Sequence, residues 1–165
     1  MARQICTFFG HRDAPDALSG ALSAAIAAQL RQNRQTDFYI GSDGNFDRLA
    51  RLTLRPLLHQ YPDAHLYRIL AYLPPSRAAA DGDALLYPEG LERVPRRFAI
   101  AHRNRWMAQQ ADCVIGYVCR PFGGAYTAFR YAARLRRDCV NLAEPGAPLL
   151  PNRAELEYAK GQQTN

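Results

Sequence analysis

The chain lacks any apolar run near the ~20 residues that a membrane-crossing helix needs, and its start, Met-Ala-Arg-Gln-Ile-Cys, lacks the apolar core of a signal peptide. Both absences lead to the expectation of a cytoplasmic protein with no membrane partner. Cysteine is sparse: Cys6, Cys113, Cys119 and Cys139 form no C-x-x-C pair. Three of them fall in or beside apolar stretches, so reduced thiols packed as small apolar side chains are expected, not zinc ligands or disulfides. The sequence has no Gly-x-x-x-x-Gly-Lys stretch, no Ser-His-Asp order and no metal-ligand spacing. A P-loop, a serine hydrolase and a bound metal are therefore not expected. Internal repeats and a domain linker are missing too. What remains is 165 residues with 48% hydrophobic content, enough for one domain with a full core. The formal net charge of +6 permits anionic partners such as nucleotides or nucleic acid.

Short apolar runs alternate with segments of helical spacing. Strands are predicted at Ile5–Phe9, Asp37–Ile40, Leu66–Leu73, Cys113–Val118 and Cys139–Leu142. Between them Leu18, Ala21, Leu22, Ala25 and Gln29 trace one helix face, after start signals at Asp13 and Pro15. Phe46, Ala50, Thr53, Leu54 and Leu57 trace a second helix that runs towards Tyr61. Pro56 is expected to kink or break it, because proline lacks the N–H the helix needs. A third helix is predicted over Pro95–Ala111, and a fourth from Thr127, with Ala128, Tyr131, Ala132 and Leu135 on one side. Residues 74–95 read as one long loop. The tail from residue 145 to Asn165 is proline-marked and polar, with a short helix over Arg153–Lys160.

Five strands separated by helices imply an α/β fold, a single three-layer Rossmann-like domain over residues 1–144 with a tail over 145–165. Right-handed crossovers give a parallel five-stranded sheet in the order 3-2-1-4-5. Strands 1 and 4 then flank the switch point, where ligands bind at the carboxyl ends. That arrangement sets Gly10-His11-Arg12 beside Gly123-Gly124, with Gly41 to Asn45 as the next loop. The first turn of a helix leaves N–H groups unpaired and carries partial positive charge, so the junction at Gly123-Gly124 suits a phosphate.

Phe9-Gly10-His11-Arg12, Gly41-Ser42-Asp43-Gly44-Asn45-Phe46-Asp47, Leu70-Ala-Tyr-Leu-Pro74, Arg103-Asn-Arg-Trp-Met107 and Gly123-Gly124-Ala125 together resemble a group of bacterial proteins in the SLOG superfamily of Rossmann-like domains. The resemblance covers roughly Ile5 to Leu142 and implies binding of a nucleotide or nucleotide-derived ligand. The superfamily includes the lonely-guy phosphoribohydrolases and the DNA-processing protein A family. Against the lonely-guy pattern, Arg103, Met107, Asp112, Gly123, Gly124 and Thr127 match. Asn104 stands for a lysine, Tyr126 for a glycine, and Arg130 for the catalytic glutamate, and four extra residues precede the glycine pair. The resemblance thus implies ligand binding without the hydrolytic chemistry.

Arg103 and Asn104 share a helix stripe with Ile100 and Met107. An arginine fork suits a phosphate and an asparagine amide suits a ribose hydroxyl or base, while an arginine passing the core to reach solvent is the alternative. His102 and Arg105 lie off the stripe and read as solvated. The ligand-binding candidates are accordingly Gly10, His11, Arg12, Gly41, Asp43, Arg103, Asn104, Gly123, Gly124 and Thr127. His11 is a candidate acid or base, or a brace for its loop. Asp43 or Asn45 also fits the cap of the following helix. Glu89 is the second catalytic candidate, with Glu92 beside it; a solvated loop glutamate is the plain alternative. Arg130, Arg134, Arg136 and Arg137 read as an exposed helix face. The functional expectation is a binding domain for a nucleotide-derived small molecule. A nucleotide-processing hydrolase and a nucleic-acid-binding module are the alternatives, and homo-oligomers are left open.

Overall fold

A computed structural model of the chain describes residues 2–42, 44–73 and 82–143. The described residues hold six strands: β1 (Gln4–Gly10), β2 (Thr36–Ile40), β3 (His65–Ile69), β4 (Ala84–Leu86), β5 (Cys113–Tyr117) and β6 (Asp138–Asn141). They form one sheet in the order β4-β3-β2-β1-β5-β6, every pair parallel. Four α-helices connect them: α1 (Ser19–Gln32), α2 (Gly44–Leu58), α3 (Ala99–Gln110) and α4 (Gly124–Arg134).

The expected α/β class and its central order are present, and the strand count needs correcting from five to six. The added strand lies inside the expected loop over 74–95. Ala84-Leu85-Leu86 is only three residues long and has no β-branched residue, so it carries little strand signal of its own. It forms because the exposed edge of β3 offers partners, Tyr67 to Ala84 through Ile69 to Leu86. β3 stops at Ile69 and not at Leu73: the Leu70 N–H makes the last bond to β4, on the Leu86 carbonyl at 2.9 Å. Pro56 lies within α2 without ending it before Leu58, since only the last helical turn follows it. The helix expected at Arg153–Lys160, the tail and the boundary at residue 144 lie outside the described residues.

The strands alternate their side chains between two cores. Cys6 and Phe8 of β1 face α1 and α2, where Phe8 packs against Phe38 and Phe46 with ring centroids 6.0 and 6.4 Å apart. Phe9 faces the opposite way, into the core formed with Val114 of β5, Met107 of α3 and Phe129 of α4. Both faces of the central strands are covered, which is why they read as unbroken apolar runs. Helix α1 buries Leu22, Ile26 and Leu30 at four-residue spacing, and Ala21 is exposed instead of sharing that stripe. Each fully buried leucine or phenylalanine here stabilises the fold by about 1.5–3 kcal/mol relative to exposure. All four cysteines are free thiols, Cys6 in the core and Cys119 at the surface. No helix among the described residues is long and apolar enough to cross a membrane.

Candidate functional site

The carboxyl ends of β1, β2 and β5 open into one cleft of about 310 Å³. Its floor is the end of β1. Gly10 is there because a Cβ would fall inside the ring of Phe46, so glycine lets α2 press onto the strand. His11 follows and is buried. Its Nε2 accepts hydrogen bonds from the backbone N–H groups of Cys119 at 3.1 Å and Arg120 at 3.3 Å. That geometry places the ring proton on Nδ1. Burial first, and then the Arg120 charge, lower the His11 pKa to about 4, against a smaller opposing effect of Asp13. The imidazole is therefore neutral near pH 7, and of the two readings the sequence allowed, the geometry matches a brace between loops. Asn141 secures the other side of the same exit, its amide pairing with both the N–H and the carbonyl of Val118 at 3.0 Å.

The wall on the α4 side is the loop Cys119–Phe122 and the glycine pair. Gly123 precedes the helix at φ 93° and ψ 172°, a region open only to glycine. No side chain caps α4, and around Gly123 and Gly124 nothing lies within 4 Å of where a Cβ would stand. Gly123, Gly124 and Ala125 line the cleft, so the first turn of α4, whose N–H groups have no partner within the helix, borders it. Arg120 lines this wall and grips Asp13 with two bonds of 2.8 and 2.7 Å. The Arg120 hydrogen bonds hold the Asp13 carboxyl down at about 2. Phe122 stands beside the Arg120 guanidinium, 5.8 Å from its ring centroid.

On the opposite side α3 contributes Ile100, Arg103, Asn104 and Met107, the whole stripe read from the sequence. Arg103 is 3% exposed and is held in place by its neighbours. Its Nε and Nη2 donate to the Asn104 Oδ1 at 3.2 and 3.1 Å, and its Nη1 donates to the Ile69 carbonyl at 3.5 Å. Gly41 lies directly beneath: a Cβ there would stand 2.7 Å from Asp47 Oδ2 and 3.1 Å from Arg103 Nη2. Asp47, in the first turn of α2, lines the cleft as well. The β1–α1 loop is tied to α2 through the Asn45 N–H on the Arg12 carbonyl at 2.8 Å and the Asn45 amide on Asp16 at 2.9 Å. Asn45 is inside α2, so it clamps two elements and does not cap the helix. Arg12 is exposed at the cleft rim.

Several expected residues fall elsewhere. Thr127 is exposed and bonds back through Oγ1 to the Gly123 carbonyl at 3.0 Å, without lining the cleft. Glu89 belongs to a separate depression of about 240 Å³ with Trp106 and His102, on another side of α3, and Glu92 is exposed. Arg130 bonds the Tyr126 hydroxyl at 3.0 Å and is not part of the cleft wall. Asp112 is at the amino end of the sheet, far from the cleft, where its carboxylate accepts the Ile5 N–H at 2.8 Å. Asp43 lies outside the described residues. Among the described residues no group of His, Cys, Asp or Glu is arranged to hold a metal ion. The cleft residues that the sequence did not single out are Asp47, Arg120 and Phe122, with Asp13 noted only as a helix signal. The signal that could have found Arg120 and Phe122 is the four-residue excess before Gly123, since an insertion at a switch point lines the crevice.

No protein-family model matches the sequence, and no curated protein sequence matches it. Solved structures do. The chain is similar to DNA processing protein A of Streptococcus pneumoniae, with a TM-score of 0.61 at 14% identity over 96% of this chain. It spans 57% of that protein's length. It is also similar to DNA processing protein A of Helicobacter pylori, whose structure concerns a single-stranded DNA binding mode. There the TM-score is 0.60 at 15% identity, over 96% of this chain and 73% of that one. At these identities the likeness is one of fold: a Rossmann-like parallel sheet with helices on both faces.

Proposed function

We propose that this chain is a SLOG-type, cytoplasmic binding domain, over residues 1–144, for a nucleotide or nucleotide-derived ligand whose phosphate sits at the start of α4. The observation that carries the reading is the uncapped first turn at Gly123-Gly124, open to a cleft that Arg12, Arg103 and Arg120 line. The dipole of α4 and the exposed Arg12 at the rim favour an anion in this cleft. Ile100 and Phe122, both partly exposed, offer apolar surface for a base or sugar. The cavity volume is at the lower end of the range for small-molecule sites, which favours a ligand of about one nucleotide over a whole dinucleotide.

A second reading, single-stranded nucleic acid, is favoured by the fold shared with the Helicobacter pylori protein and by the net charge of +6. Such binding would weaken steeply with salt. One pair of measurements separates the two. Titration calorimetry with the four nucleoside 5′-monophosphates is expected to show saturable binding that Gly124→Asp abolishes. Fluorescence anisotropy of a labelled oligonucleotide across a salt series is the comparison. Oligonucleotide binding without any saturation by mononucleotides would favour the second reading. Mononucleotide affinity unchanged in a folded Gly124→Asp variant would move the site elsewhere.

A further inference from the structure

The positive charge of the chain is concentrated on one side of the sheet. Residues 93–137 hold ten arginines and a single carboxylate, Asp112, so this stretch carries more than the whole net charge of +6. Asp112 itself is at the amino end of the sheet, bonded to the Ile5 N–H. Helices α3 and α4 pack together within the stretch, and five arginines gather along their junction around Tyr131. Arg105 of α3 holds its guanidinium over the Tyr131 ring at 4.6 Å, and Gln109 bonds the Tyr131 hydroxyl at 3.0 Å. Arg130, Arg134 and Arg137 fall at i, i+4 and i+7 along α4 and its closing turn, with Arg136 exposed beside them. Arg137 donates to the Ala108 and Gln109 carbonyls at 3.2 and 2.8 Å, and Arg130 to the Tyr126 hydroxyl at 3.0 Å. Among the described residues none of the five forms an ion pair. Asp138, which follows Arg137, and Glu89, which lines the same depression as Arg105, lie beyond ion-pair distance of them.

Like charges held this close repel one another, and a bound polyanion relieves that repulsion. What else the surface offers decides which polyanion. Among the described residues of 99–137 no large apolar side chain is exposed. A lipid surface is held by apolar side chains inserted beside the charges, and a protein partner by aromatic or aliphatic anchors at the centre of the contact. This face offers neither. A single strand of nucleic acid needs open rings on which its bases stack. Here Tyr126 is buried, while Tyr131 and Trp106 are half-buried and each has one face covered, by Arg105 at 4.6 Å and by the Tyr39 ring at 5.8 Å. A duplex makes no such demand, because its bases are stacked inside and it presents two rows of phosphates, which guanidinium forks bind in pairs of bonds. We infer that the α3–α4 face docks double-helical DNA through its phosphate backbones, without reading its sequence. None of the five arginines lines the cleft, so this surface is separate from the nucleotide site and does not depend on that reading.

The test is fluorescence anisotropy of the full chain with a labelled DNA duplex of about two helical turns, across a sodium chloride series. Log affinity should fall linearly with log salt by about 0.9 for each phosphate neutralised, giving a slope of about −4 if each of the five arginines meets one. Arg134 and Arg136 are exposed and make no side-chain hydrogen bond or ion pair among the described residues, so Arg134→Gln with Arg136→Gln should keep the thermal midpoint. That double variant should lose about tenfold or more in duplex affinity at low salt, and its slope should become shallower by about 2. Arg31→Gln with Arg34→Gln, on the α1 side, makes the same change in net charge and should leave duplex affinity within about twofold at physiological salt. An equal loss in the α1-side variant overturns the assignment, because net charge alone then accounts for the binding. Tighter binding of a single strand of the same length overturns it too, as does release of the duplex by AMP, which would put the DNA in the cleft. Binding to phosphatidylserine vesicles with none to the duplex overturns it in favour of a lipid surface. If the duplex does not bind at all, the assignment fails, and mononucleotide binding at the cleft is untouched by that result.

Discussion

At the scale of single residues, the cleft is organised by groups whose chemistry is set by a neighbour distant in sequence. His11 is the plainest case. With its folded pKa near 4 and an unfolded value near 6.5, the unfolded chain binds the extra proton first as pH falls. Stability from the neutral ring is thus fully present above about pH 6.5 and is lost progressively towards about pH 4, by as much as about 3 kcal/mol. Asp13 acts in the same sense in a lower window: its depressed value near 2 contributes stability that is present above the ordinary carboxylate range and is lost as pH falls towards about 2. Urea melts across the higher window should show a falling midpoint for the parent and a flatter profile for His11→Asn. The variant should also be less stable at neutral pH by about 1–3 kcal/mol, because the Cys119 and Arg120 N–H groups lose their acceptor. Gly10 is a second test. Gly10→Ala forces a methyl into the Phe46 ring and is expected to destabilise by about 1–3 kcal/mol or more, read as a drop in thermal midpoint.

At the scale of elements, the decisive unit is β5, its loop and α4. The glycine pair divides two jobs. Gly123 holds a backbone conformation open only to glycine, and Gly123→Ala should cost about 1–3 kcal/mol and shift the start of α4. Gly124 has open space around it, so Gly124→Asp should leave the thermal midpoint unchanged or slightly higher. A carboxylate near a helix N-terminus is stabilising by roughly 0.3–1 kcal/mol. The same variant should lose nucleotide affinity at least tenfold, since its charge occupies the anion position. Measuring melting and binding on these two variants separates damage to the fold from damage to the site.

At the scale of the whole molecule, the prediction is negative. No nucleoside 5′-monophosphate should release free base on long incubation, as followed by chromatography. Cleavage of the bond to ribose builds positive charge on the sugar, which a facing carboxylate stabilises. Arg130 stands away from the cleft against Tyr126, Glu89 lies in another depression, and Asp13 is held by Arg120. Asp47 also lines the cleft, close to Arg103 above Gly41. Base release that disappears in Asp47→Asn would make this protein an enzyme with that residue in its site.

Much of the fold could be read from local pattern. Apolar runs such as Ile5–Phe9 and the stripe Ile100, Arg103, Asn104, Met107 are set by the two periodicities of the backbone, and these survive in any context. Alternation of strands and helices then fixed a parallel sheet and its central order, and with them the loops that meet at the cleft. Other features depended on partners far along the chain. β4 exists because β3 has an open edge, and its three residues say little alone. His11 became a brace because the N–H groups it receives come from residues more than a hundred positions later. Asp47 and Arg103 start on helices that cover opposite faces of the sheet, and they meet only above Gly41. Periodicity assigns a residue to a face because it is a property of the near chain; which faces converge, and which charges thereby come together, is settled when the strands assemble.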